Sequence, residues 1–236
     1  MPIELDHVVI AVLDLAAAVA AFRAAGFVVK PGGTHANQAT ENALIIFSDS
    51  TYIELLAKTG EAPLPGLVDF SPLVEQGEGL AGFALRTADL GAESARLREQ
   101  GFAVSPPLPG ERQRPDGRTL RWQLATLDAG FAPFLIEDLT PRDWRIPQAN
   151  DIVTHPNDVT GIHAIEITAH DLTALRERYA LLLNAPTQDS LSGVLLRAAD
   201  SAQHASPELS ALHVLSADNQ RTEQVAKTRL HYLPAK

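Results

Sequence analysis

Cysteine is absent from this chain. That excludes disulfides, thiolate metal ligands and cysteine nucleophiles. Basic residues are in the minority, with 19 Lys and Arg against 29 Asp and Glu and a net charge of −10. Without a basic stripe a nucleic-acid partner is excluded, although a local pocket can differ in sign from the whole. No apolar run reaches the roughly 18 residues that mark a membrane span. The opening MPIELDHVVIAVLDL has no basic region before its apolar run, and Asp6 and His7 interrupt it, so it does not read as a signal peptide. The expectation is a soluble, cytoplasmic protein with no membrane partner. The hydrophobic content of 45% is that of a globular chain, and 236 residues suffice for one large domain or two small ones.

An internal repeat sets the organisation. Residues 4–29 lie over residues 79–104 without a gap, matching Leu5 with Leu80, Asp14-Leu15 with Asp89-Leu90, Ala20 with Ala95, and Gly26-Phe27 with Gly101-Phe102. Each copy predicts an apolar strand, Asp6 to Val12 or Ala81 to Thr87, followed by a helix capped by Asp14 or Asp89. Leu15, Val19 and Phe22 give the first helix an apolar face, and Leu90, Ser94 and Leu97 give the second a weaker one. Gly26 and Gly101 end the helices. Three strand-like runs follow in each copy: Phe27–Lys30, Asn42–Phe47 and Tyr52–Leu56, then Phe102–Val104, Thr119–Leu127 and Pro133–Glu137. The stretch SPPLPGERQRPDG in the second copy reads as an extended loop or hairpin.

The fold expected is therefore α+β, with tandem βαβββ modules (4–57 and 79–138, within 1–140) forming a curved mixed sheet around a central cup. A Pro/Asn/Asp-rich linker, 141–160, leads to a partial third module over 161–236. That module has a strand, a helix carrying Leu172, Leu175, Tyr179 and Leu182, and two further strands, Gly193–Ala198 and Ser210–Ser216. No fourth strand is evident. Its uncovered apolar face needs a partner, and a homodimer in which a second subunit supplies the cover is favoured slightly over cover by the first two modules.

Strand alternation sorts the side chains. Val8, Ile10 and Val12 form the row suited to the helix, and His7, Val9 and Ala11 the other. In the last strand of the first copy Ile53 and Leu55 face the helix, while Tyr52, Glu54 and Leu56 face away. His7 and Glu54 thus share the concave face, where a polar pair needs a reason. In the second copy Leu120, Trp122 and Leu124 form an apolar row read as core, which turns Arg121 and Gln123 toward the cup together with Arg86. An arginine there would hold a substrate carboxylate or pair with a Glu. Asn42 is either a turn cap or a substrate amide donor.

His7 in LDHVVIAVLDL and Glu54 in YIELL resemble the first-strand His and last-strand Glu with which vicinal-oxygen-chelate enzymes bind a metal. PGGTHANQATENALI resembles the Gly-Gly-x-His signature of the glyoxalase-like branch, and RPDGRTLRWQLA and PFLIEDL resemble its later blocks. The resemblance implies a metal site of His7, Glu54 and Glu137, with Gly82 at the position of the missing fourth ligand and His35 as a candidate to complete the set if a Gly32-Gly33 turn brings it over the cup. Nitrogen and carboxylate oxygen suit Zn, Mn, Fe, Ni or Mg and do not choose among them. His163 lies one residue further from Asp171 than His7 does from Asp14, which turns it the other way. The other histidines, at 155, 170, 204, 213 and 231, share no spacing and read as surface or structural.

Two functions remain. One is a lyase, isomerase or dioxygenase acting on a small oxygenated metabolite, with a divalent metal chelating its oxygens and Glu54 or Glu137 as ligand or base. The other is a metal-free binding protein of the resistance type, with no cofactor. Gly82 favours the second, and carboxylates inside apolar strands favour the first. A third reading is a structural or regulatory dimer.

Overall fold

The two copies join edge to edge in a single sheet. The computed structural model describes residues 3–114, 117–127, 133–186, 190–191, 193–199, 207–217 and 220–234. The first half runs β1 (Glu4–Ala11), α1 (Leu15–Ala24), β2 (Lys30–Thr34), β3 (Thr40–Ile46) and β4 (Tyr52–Lys58). A short helix, α2 (Ser71–Glu75), leads to the second half: β5 (Gly79–Arg86), α3 (Leu90–Glu99), β6 (Leu108–Gln113), β7 (Thr119–Ala125) and β8 (Phe134–Asp138). Asp14 and Asp89 cap their helices by accepting from the amides of Ala17 and Ala92, each bond worth about 1 kcal/mol. Gly26 and Gly101, at φ 85° and 83°, end them in the left-handed conformation.

The strand order is β2-β3-β4-β1-β5-β8-β7-β6, with β1 parallel to β4, β5 parallel to β8, and β1 antiparallel to β5. The far edges approach each other, because Arg112 on β6 donates to the carbonyl of Gly32 on β2 at 2.6 Å. The sheet is therefore a cup. Val8, Ile10 and Val12 pack with Phe22 on its helical side, and Val9, Ala11 and Leu56 face the hollow. Residues 67–75 lie across the mouth, with Val68, Phe70, Leu73 and Val74 packed on the hollow side.

Three segments differ from expectation. The second strand starts at Lys30, because Phe27 is committed to the core against Phe22 and Phe47. Gly32-Gly33 thus lies in a strand and not in a turn. The run Phe102–Val104 contributes one bridge, Val104 to Leu127, and the Pro/Gly/Arg-rich stretch after it supplies β6 instead. The stretch 141–160 carries α4 (Arg142–Arg145) and α5 (Asn150–Val153), whose Ile152 and Val153 pack on Leu44 and Ile46.

The C-terminal segment forms β9 (Val159–Ala169), α6 (Leu172–Leu183), β10 (Ser190–Leu191), β11 (Val194–Ala198), β12 (Glu208–Ser216), β13 (Arg221–Val225) and β14 (Thr228–Pro234). Their order is β10-β11-β9-β12-β14-β13, with β9 parallel to β11, β12 parallel to β14, and β9 antiparallel to β12. This repeats the centre of the first sheet. The segment is two trimmed modules, the second without its helix. The hairpin β13–β14 gave no signal because its turn residues, Ala226 and Lys227, take φ 43° and 59° without the usual Asn or Gly. Ile165, Leu175, Tyr179, Leu212, Leu230 and Tyr232 share one core with Val8, Phe22, Phe83 and Leu97. The chain's own first sheet thus covers the apolar face assigned above to a second subunit, and the reason for expecting a dimer falls away. Among the described residues no helix is long and apolar enough to cross a membrane.

Candidate active site

The cup has a polar wall and an apolar wall. His7, His35, Asn42, Tyr52 and Glu54 come from the first half, and Trp122, Leu124, Phe134 and Ile136 from the second. Phe70 closes one side, and Arg112 and Arg145 complete the lining.

Glu54 is the centre of the polar wall. Asn42 donates from Nδ2 to Glu54 Oε1 at 2.6 Å and to His35 Nε2 at 3.3 Å. His35 then donates from Nδ1 to Thr40 Oγ1 at 2.8 Å. His7 Nε2 lies 3.5 Å from Glu54 Oε2, and His35 Nε2 lies 3.6 Å from Oε1. The Gly-Gly pair has a steric reason. A Cβ on Gly32 would fall 1.8 Å from Asn42 Oδ1, so only glycine leaves room for the amide that holds Glu54.

Behind His7 stands a buried ionic cluster. The register of β1 against β5 shifts between Leu5 and His7, which makes Asp6 the extra residue of a bulge. Asp6, fully buried, accepts from His7 Nδ1 at 2.7 Å and from Arg145 at 3.0 Å and 3.2 Å. Arg142 pairs with Asp6 as well, and both arginines also reach Asp138. Arg145 bonds Tyr52 Oη at 2.8 Å, and His7 stacks on the Tyr52 ring at 4.4 Å between centroids.

These neighbours fix the charge states. Burial alone would raise the Asp6 carboxyl, but Arg145, His7 and Arg142 hold it well below the usual range. Burial would also raise Glu54, yet the His7 hydrogen bond, the His35 and His7 fields and Asn42 bring it down to about 2. Burial works to lower His7, and the bonds to Asp6 and Glu54 outweigh it, so His7 is raised. His35 is lowered, chiefly by burial, against the pull of Glu54. The surroundings thus favour the carboxylate form of Glu54 and the imidazolium form of His7, and they disfavour a charge on His35.

The structure brings His7, His35, Asn42 and Glu54 together and sends the other candidates elsewhere. Glu137 is on the helical side of β8, where its carboxylate accepts from the amide of Leu90 at the start of α3 and from Gln123 Nε2. Arg86 pairs with Glu4, and Arg121 is exposed beside Glu111. Glu137, Arg86, Arg121 and Gln123 are thus corrected as site residues, and Trp122 is a lining residue. For Glu137, Arg121 and Gln123 the reason is parity: Leu120, Trp122 and Leu124 face the hollow, because this half of the cup is itself apolar. His163 does not line the cup, and His204 lies outside the described residues. Asp6, Arg112 and Arg145 were missed. A carboxylate beside His7 in an apolar strand was a usable signal for Asp6, since it must find a cation. Nothing local marks the two arginines.

The donors do not fit the chelated metal that the resemblance implies. In the ladders Val9 faces Glu54 and its repeat mate Ala84 faces Phe134, so Phe134 stands at the second-half counterpart of Glu54. The other position is Gly82, over which Leu73 packs, 3.5 Å from where a Cβ would be. Among the described residues no three His, Asp or Glu side chains are grouped to hold an ion.

The model of the glyoxalase-like domain matches residues 5–183. A hypothetical protein from Staphylococcus aureus is similar in fold at 16% identity, with 99% of this chain and 100% of that one covered and a TM-score of 0.79. A fusion of a xylose isomerase-like TIM barrel with 4-hydroxyphenylpyruvate dioxygenase matches at 14% identity over 92% of this chain and 37% of its own, with a TM-score of 0.56. Methylmalonyl-CoA epimerase from Streptomyces coelicolor matches at 27% identity over 59% of this chain and 100% of its own, with a TM-score of 0.42. No curated protein matches the chain. With the family model spanning most of the sequence and paired βαβββ modules forming the first sheet, the chain belongs to the glyoxalase-like domain family of the vicinal-oxygen-chelate superfamily.

Proposed function

We propose that the protein is an isomerase- or lyase-type enzyme that moves a proton on a small oxygenated metabolite, with Glu54 as base and His7 as acid. The observation that carries this reading is the pair itself: Glu54 and His7 lie 3.5 Å apart on the floor of a half-apolar cup, in surroundings that lower the pKa of the first and raise that of the second. A substrate carbonyl entering between them takes the His7 Nε2 hydrogen bond. Glu54 then loses the largest influence holding its pKa down, while burial continues to push it up. It becomes a competent base for a proton on the carbon next to that carbonyl. The His7 imidazolium, oriented by Asp6, stabilises the developing oxyanion, and Asp6 keeps its charge because Arg145 and Arg142 hold it. Asn42 keeps the other Glu54 oxygen in place.

The test is deuterium uptake from D2O into a panel of small ketones, thioesters and oxo acids, followed by NMR. Glu54→Gln should abolish uptake, and His7→Asn should slow it by about 10²–10⁴-fold. A protein that binds members of the panel but exchanges none would be a metal-free binding module instead. The tie of Asn42 to Glu54 favours that second reading.

A further inference from the structure

Among the charged side chains that line the cup, His7 and His35 lie beside Glu54 and Arg145 pairs with Asp6 and Asp138 behind the wall. Arg112 is left over. It lines the cup, and it forms no ion pair with any described residue. Its one bond there runs from Nη1 to the Gly32 carbonyl. Its other nitrogens are not among the buried atoms left without a partner, so they reach open space. Arg112 lines the same hollow as His7, His35 and Glu54. The wall around it is apolar and aromatic: Phe70, Trp122, Phe134 and Ile136.

We infer that Arg112 is the anchor for a carboxylate on the substrate, so that the cup takes a small carboxylic acid with an aromatic or branched apolar body. This rests on the proposed proton-transfer reading only for the word substrate. A planar guanidinium with a free edge matches a carboxylate in two parallel hydrogen bonds. A single unmatched positive charge is balanced by a monoanion and over-filled by a phosphate dianion. A half-buried charge facing apolar walls gains most from a partner that brings its own charge in with an apolar tail.

The experiment is isothermal titration of the full-length protein with phenylacetate, with neutral phenylacetamide and with inorganic phosphate. Phenylacetate should bind at least tenfold more tightly than the amide, and phosphate should not displace it. Arg112→Gln, which can still bond the Gly32 carbonyl, should erase the preference for the acid while the melting temperature stays within a few degrees. Arg112→Lys keeps the charge without the fork and should retain a reduced preference; it also serves if the Gln variant does not fold. Glu54→Gln should keep the preference, which separates this inference from the reading of Glu54 as base. Equal binding of acid and amide, a preference that survives in Arg112→Gln, or competition by phosphate would each overturn the assignment. No measurable binding of phenylacetate would do so too.

Discussion

Phe134 occupies in the second half of the sheet the register position that Glu54 occupies in the first. A phenyl ring has no donor for a metal, and the other second-half position, Gly82, lies under Leu73. His35 Nε2 is engaged by Asn42, and His7, Glu54 and His35 are not grouped to hold an ion among the described residues, whereas ordinary zinc sites use three or four protein donors. Protein purified without chelators or a polyhistidine tag should therefore carry well under one equivalent of Zn, Mn, Fe, Ni or Mg by elemental analysis. Stoichiometric metal that disappears in both His7→Ala and Glu54→Gln would restore the chelate.

Gly32 and Asn42 should behave as a coupled pair. A methyl on Gly32 would displace the Asn42 amide and with it the bond to Glu54 Oε1. Gly32→Ala is expected to lower proton exchange by at least tenfold and to destabilise the fold by about 1–3 kcal/mol, as overpacking does. In an Asn42→Ala background the same change should cost little stability, since the obstruction is gone. Additive effects in that double-mutant cycle would contradict the cradle.

Asp6 joins β1 to α4 through Arg142 and Arg145. Asp6→Asn leaves a buried Arg145 with less than its share of negative charge. The expected loss is about 3–5 kcal/mol, the usual effect of removing one member of a buried ionic group. Urea unfolding monitored by circular dichroism measures it, and a loss under about 1 kcal/mol would show that the cluster adds little.

His155 supplies an acid sensitivity outside the cup. Its Nδ1 accepts from the amide of Val28 and its Nε2 donates to the carbonyl of Ile46, which requires the neutral ring. Burial lowers its pKa below the ordinary 6.5, against the Ile46 bond. The unfolded chain therefore takes up the proton first as pH falls. The His155 contribution is fully present above 6.5 and declines between 6.5 and the folded value. Urea midpoints at pH 7.5 and pH 5 should differ for the native protein, and His155→Gln should reduce the difference. An unchanged difference would assign the acid sensitivity to other groups.

The first half of the cup was legible because its polar residues stand out. His7 and Glu54 interrupt apolar strands, so alternation puts both on one face, and the Gly-Gly pair with His35 marks where the rim approaches. In the second half the same rule misled. Trp122 and Leu124 look like core, and they are buried, but against the hollow and the segment around Phe70 rather than against α3. Parity tells which residues share a face and not which face is the cup. Arg112 and Arg145 were illegible for another reason: their roles exist only through contacts with Gly32 and Asp6, far away in the sequence.

The apolar layer between the two sheets draws on side chains from Ile3 to Tyr232. During synthesis the strands that bear His7 and Glu54 emerge long before β14 does. Until Leu230 and Tyr232 are in place, the helical side of the first sheet lacks part of its cover. Order in the cup therefore waits on the synthesis of β14, and a nascent chain stalled before it presents the surface on which chaperones act.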